Sequence, residues 1–210
     1  MKLKTTVLTI YLFTLFTANI YSQEKIQGIV GSWDSVARSK YGIGAIWQFY
    51  NDGKLDVINA AMIDYLYILE NDTLITVQFD HQTGESKADT SVLKINNNTL
   101  TQTQFANGET YVKKLERVGK IVNKNKQELG LWKGKNSAGQ EMTFRFTKDH
   151  QFLFRVQFEK KSGKYNLLGI VLTTEFKNEK AGVWEVNFVG KTMKLNNNNS
   201  ATELIFKRSE

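Results

Sequence analysis

Few side chains in this sequence have the types and spacing that chemistry needs. The chain carries two histidines, His81 and His150, and no cysteine. Both histidines fall in polar, turn-like stretches with no carboxylate cluster at metal-ligand spacing, so they read as turn residues and no metal is expected. There is no Gly-x-Ser-x-Gly elbow, no phosphate loop and no dinucleotide fingerprint. Carboxylates are the remaining candidates, because a glycosidase needs only two of them about 5–9.5 Å apart. Asp52 and Asp149 occupy matching places in the two halves of the chain, but each follows a strand in a hairpin turn, where Asp has a conformational role. Asp64 and Glu185 lie opposite the apolar faces of their segments. The expectation is a protein that is not an enzyme and holds no cofactor.

The elements that would position any site are strands. "AIWQFYNDGKLDVI" alternates, with Trp47 and Phe49 on one face, and "IDYLYILENDTLITVQF" places Tyr65, Tyr67 and Leu69 together. "MTFRFTKDHQFLFRVQF" alternates Phe144 and Phe146, then Phe152, Phe154, Val156 and Phe158. Period-2 runs of this kind mark half-buried strands. Short turn signals such as "NDG", "END", "NG" and "KDH" separate them. The first half yields about eight strands, beginning near Gly31, Ala45, Lys54, Met62, Thr73, Asp89, Thr99 and Thr110. The second half also yields about eight, near Gly130, Glu141, Gln151, Gly163, Val171, Gly182, Thr192 and Ala201. The absence of proline suits a sheet in which nearly every N–H is used. Sequential strands with tight turns predict an up-and-down antiparallel barrel, which removes exposed edges.

The halves also match each other. Gly31-Ser32-Trp33 answers Gly130-Leu131-Trp132, and Tyr67-x-Leu69 answers Tyr165-x-Leu167. Leu115-Glu116-Arg117 answers Phe206-Lys207-Arg208, while the match of Leu93-x-Ile95 to Trp184-x-Val186 is weaker. Two repeats are therefore expected, residues 28–118 and 129–208, with 119–128 as a linker. One larger barrel made by both halves is the alternative architecture, but it gives the second Gly-x-Trp no reason to recur.

Gly-x-Trp at the head of each repeat, with an Arg near its end, resembles the lipocalin-like domains of the calycin superfamily, in particular short bacterial ones. The resemblance implies two small eight-stranded lipocalin-like barrels in tandem. It also implies that a late Arg lies across the first-strand Trp at each closed end. On this basis Gly31, Trp33 and Arg117 would close the first barrel, and Gly130, Trp132 and Arg208 the second. The implied function is non-catalytic binding of a small hydrophobic or amphipathic molecule. Each repeat is about half the length expected of a lipocalin, which implies a shallow interior.

Alternation places Trp47, Phe49, Leu55 and Val57, with Tyr65, Tyr67, Val77 and Leu93, inside the first barrel as its ligand-contacting set. Tyrosines there offer an apolar wall with a hydroxyl to orient a ligand. The second barrel is expected to be filled by Phe144, Phe146, Phe152, Phe154, Phe158, Trp184 and Phe206. An alternative function is an interaction module that binds protein or glycan through barrel surface and loops.

"MKLKTTVLTIYLFTLFTANIYS" has a basic start, a short apolar core and a small-residue end, the pattern of an export signal. The apolar run is shorter than the ~20 residues of a membrane span, so the mature chain is expected to be periplasmic or secreted. An uncleaved anchor is the alternative. Net charge is +7, and the densest basic run, Lys113 to Lys126, straddles a strand end and the linker. It lacks the interleaved exposed aromatics of a nucleic-acid groove, so no nucleic-acid partner is expected.

Overall fold

The structure, a computed structural model, describes residues 28–79, 85–197 and 202–209. The export signal and His81 lie outside these residues. Among them, fourteen strands follow one another. The first seven are β1 (Gly31–Ser35), β2 (Ile43–Phe49), β3 (Lys54–Glu70), β4 (Thr73–Phe79), β5 (Ser86–Asn96), β6 (Thr99–Ala106) and β7 (Glu109–Val118). The rest are β8 (Gly130–Lys135), β9 (Glu141–Phe146), β10 (Gln151–Leu168), β11 (Val171–Phe176), β12 (Gly182–Val189), β13 (Thr192–Asn197) and β14 (Thr202–Arg208). They form one antiparallel sheet in a ring, with neighbours in chain order, β1 closing on β14, and one further pairing between β3 and β10. The all-β, barrel-like expectation holds.

Each repeat contributes seven strands where about eight are predicted. The cause is the same in both halves. β3 runs unbroken through the boundary predicted before Met62, and β10 through the one before Gly163. Elsewhere the turn chemistry behaves as read. Asn71, Asn107 and His150 take positive φ of 53°, 53° and 57° in their hairpins, a conformation in which Asn and His are enriched among non-glycine residues.

Two compact units result. The first contains the described residues up to Arg38, Gly44–Ile58 and those from Lys160. The second contains Ser39–Ile43 and Asn59–Glu159. Each unit thus draws strands from both sequence repeats, because β3 and β10 pass from one unit into the other. In the first unit the Tyr165 N–H donates to Gly53 O at 2.8 Å, joining β10 to β3. In the second, the Tyr67 N–H donates to His150 O at 2.8 Å. Each unit has its own core: Trp33, Trp47, Phe49, Leu172 and Phe206 in the first, Leu74, Leu100, Trp132, Phe144 and Phe152 in the second.

This strand exchange corrects the expected closure. Trp33 lies beside Arg208, and Trp132 beside Arg117, as register partners on adjacent strands. The Arg208 guanidinium carbon is 5.0 Å from the Trp33 ring centroid, and that of Arg117 is 4.0 Å from Trp132. The Trp–Arg contact is as expected, but each Trp takes its Arg from the other repeat. The two closures share their details. The indole N–H groups of Trp33 and Trp132 donate to Ile29 O and Glu128 O, both at 2.7 Å. Arg208 donates to Gly28 O and Val30 O, and Arg117 to Gln127 O and Leu129 O. The glycine of each Gly-x-Trp has φ of 129° (Gly31) or 116° (Gly130), where L-residues are strained.

Candidate functional site

The eight residues expected to line one interior are divided between the two units. Trp47, Phe49 and Leu55 are buried in the core of the first unit, with Val57 packed against it. Tyr67 and Leu93 are buried in the core of the second, with Tyr65 packed against it. Val77 is on the opposite face of β4 from the buried Leu74 and Thr76. The physical reason for the division is the continuity of β3, which carries Leu55 and Val57 in one unit and Tyr65 and Tyr67 in the other. The aromatics expected to fill a single second barrel divide likewise. Phe144, Phe146 and Phe152 are in the second core and Trp184 and Phe206 in the first, while Phe158 is 47% exposed.

Tyr67 is held structurally. Its hydroxyl shares its one proton between Glu128 Oε1 and Thr147 O, each at 3.4 Å, and burial followed by the Glu128 charge pushes its pKa up. The equivalent Tyr165 donates to Tyr50 O at 2.8 Å.

The second unit holds a cavity of about 80 Å³ lined by Tyr65, Thr76, Asp89, Gln102, Gln104, Lys113, Phe144, Phe152 and Phe154. Of the expected ligand contacts, only Tyr65 is among them. Three strands explain its polarity. Along β6 burial falls from Leu100 through Gln102 to the half-buried Gln104, and along β7 from Leu115 to the half-buried Lys113. Along β5 it falls from Leu93 and Ser91 to the exposed Asp89. Apolar residues thus fill the deep end, and polar ones occupy the way out.

The aromatic wall comes from β9 and β10. Phe152 stacks on Phe146 at 4.6 Å between centroids and meets Phe144 edge-on at 4.9 Å, and Tyr65 stacks on Phe152 at 5.5 Å. Opposite this wall, Gln102 is only 3% exposed and donates through Nε2 to Ser91 Oγ at 3.0 Å. Thr76 donates through its hydroxyl to Asp89 O at 3.3 Å. Lys113 Nζ donates to Gln104 Oε1, the one acceptor it has among the described residues. Burial holds the Lys113 ammonium below the usual lysine pKa range. The Tyr65 hydroxyl makes no hydrogen bond to a described residue, and burial and then the Asp89 charge raise its pKa.

The first unit provides an internal control. Register matches its strands to those of the second: Leu74 faces Ser91 in the second unit, and Leu172 faces Trp184 in the first. The row Leu93, Gln102, Lys113 on β5–β7 corresponds to Val186, Leu195, Leu204 on β12–β14. Thr76 facing Asp89 corresponds to Thr174 facing Gly182. The Trp184 indole donates to Thr174 Oγ1 at 3.3 Å and meets Trp47 edge-on at 6.1 Å. A Cβ on Gly182 would fall 2.8 Å from Trp184 Nε1, so the glycine makes room for this indole. The same framework thus carries a tryptophan and two leucines in one unit, and Ser91, Gln102 and Lys113 in the other.

Two of the four carboxylates considered for catalysis have partners in turns or on neighbouring strands. Asp52 Oδ1 accepts from the Lys54 N–H at 3.1 Å within its turn, and Asp64 pairs with Arg155 at 2.7 Å. Among the described residues no three His, Asp or Glu side chains gather as metal ligands, and no helix is long and apolar enough to cross a membrane. Comparison with protein-family models, curated proteins and solved structures finds no match for the chain.

Proposed function

We propose that this chain is an exported, non-catalytic binding protein whose second unit takes up a small amphipathic molecule. The observation that carries the reading is the contrast between the units: Trp184, Leu195 and Leu204 stand in the first where the second has Ser91, Gln102 and Lys113, of which Gln102 and Lys113 line a cavity. Burying an amide and an ammonium costs free energy unless they gain partners, and apolar residues at the equivalent positions avoid that cost. A polar lining kept beside an aromatic wall suits a ligand with one polar end and one apolar end.

In this reading each unit is a lipocalin-like barrel of eight strand segments, closed by the β3–β10 pairing, with halves exchanged between repeats. The cavity, about 80 Å³, is well below the ~300–1,000 Å³ of drug-sized pockets. The ligand is therefore small, or inserts only its end. Export rests on the first 22 residues.

The test is calorimetric titration with butyrate, butyramide, butanol, benzoate, benzamide and butylamine. It compares the native chain with the double variant Asp89→Gly/Ser91→Trp, which plants the Gly182–Trp184 plug in the second unit. The reading expects saturable binding of at least one probe and its loss in the plugged variant. No binding by any probe, or equal binding by the plugged variant, would overturn it. A surface-binding module is the second reading, favoured by the exposed Leu66 and Ile68, which pair with Val77 and Ile75 on the outer face of β3–β4.

A further inference from the structure

Resting on that reading, we propose that the ligand is a small monocarboxylate, bound with its carboxylate on Lys113 Nζ and its apolar group against Phe144 and Phe152. The order of groups from mouth to floor sets this orientation. Lys113 and Gln104 are half-buried towards the exit, whereas Phe144 and Phe152 are buried at the base. A ligand entering apolar end first therefore leaves its polar end level with the ammonium.

Charge selects the polar end. Lys113 has no carboxylate partner among the described residues, only the neutral amide oxygen of Gln104. A half-buried ammonium on a neutral acceptor is under-compensated, and a carboxylate supplies a charge-assisted hydrogen bond. Burial lowers the Lys113 pKa because desolvation disfavours the charged form, and a carboxylate bound beside it would act in the opposite direction. Gln102 and the free Tyr65 hydroxyl add further donors around the same space. The Asp89 carboxylate also borders the cavity. Its negative charge opposes a dianion such as a phosphate monoester about twice as strongly as a monocarboxylate, and its exposure to solvent weakens both repulsions. One lysine and a small space fit one carboxylate and a short aliphatic or aryl group.

The experiment compares acids with their isosteric amides, butyrate with butyramide and benzoate with benzamide, on the native chain, Lys113→Met and Lys113→Arg. Lys113→Met should keep the fold, because the equivalent position in the first unit is Leu204. The acids should bind at least ~10-fold more tightly than the amides, as loss of one charged hydrogen bond implies. That preference should vanish in Lys113→Met and return in part in Lys113→Arg. If acids and amides bind equally, if butylamine binds best, or if Lys113→Met keeps the preference, the carboxylate assignment is wrong while the pocket stands. If no probe binds the native chain, pocket and assignment fail together.

Discussion

Arg208 lies over Trp33, its guanidinium carbon 5.0 Å from the ring centroid, although the two residues open and close different sequence repeats. The contact joins β1 to β14 in the first unit, as Arg117 over Trp132 joins β7 to β8 in the second. A double-mutant cycle on Trp33 and Arg208 should give a coupling of about 1 kcal/mol, the size of a shielded cation–π contact. The Trp33 and Arg117 cycle should give a coupling near zero. Denaturant unfolding of the four variants in each cycle measures both, and the opposite ranking would contradict the observed strand order.

A related outcome concerns the isolated repeat. Residues 28–118 contain β1, whose partner is β14, and β7, whose partner is β8. Expressed alone, this segment leaves two edges unpaired and should form no stable monomer. Size-exclusion chromatography with circular dichroism checks this, and a cooperatively unfolding monomer would count against the exchange of strands.

Much of this was legible because alternation survives in nearly every strand. Phe144 and Phe146, and Phe152 and Phe154, sit on the faces that period 2 assigns. The continuity of β3 and β10 was hidden for physical reasons. Strands usually end after five or six residues, and Gly163 looks like a turn residue. Its actual role is a close approach: a Cβ there would fall 2.3 Å from Glu175 O on the paired strand.

The site was hidden by the same alternation. On β6 each face carries one large apolar residue, Leu100 on one and Phe105 on the other, so "TLTQTQFA" by itself does not choose the face of Gln102. The usable signal was the comparison of repeats. Leu115 matches Phe206, and two residues back Lys113 faces the place of Leu204. Ser91 was missed because Trp184 was matched to Leu93. Register places Trp184 opposite Leu172 as Ser91 is opposite Leu74, a shift of two residues.

Lys113 also predicts a trade between stability and binding. Its folded pKa lies below the unfolded value, so the unfolded chain holds the proton more tightly. The resulting penalty is fully present below the folded pKa, and stability rises as pH climbs from there to the unfolded value near 10.4. Lys113→Met removes the penalty. The ligand-free variant should melt higher than the native chain at pH 7, with the gap narrowing towards pH 10 in thermal melts.

Asp56 sets the acid side. Desolvation raises its pKa, but hydrogen bonds from Ser162 and Tyr50 with the charges of Lys160 and Lys54 outweigh it, so the net shift is downwards. A depressed carboxylate contributes stability above its unfolded pKa of about 3.9 and loses it as pH falls through the folded value. Asp56→Asn should be less stable than the native chain at pH 7, with the gap closing below pH ~4. A constant gap across an acid titration series would show that the charge is not what matters.

The central claim is that binding occurs inside the second unit and not inside the first. Amide chemical-shift mapping during a benzoate titration tests it directly. The predicted perturbations centre on Gln102, Gln104, Lys113 and Phe152 and saturate together, while Trp184, Leu195 and Leu204 stay still. Shifts confined to the first unit, or to the outer face at Leu66 and Ile68, would contradict it.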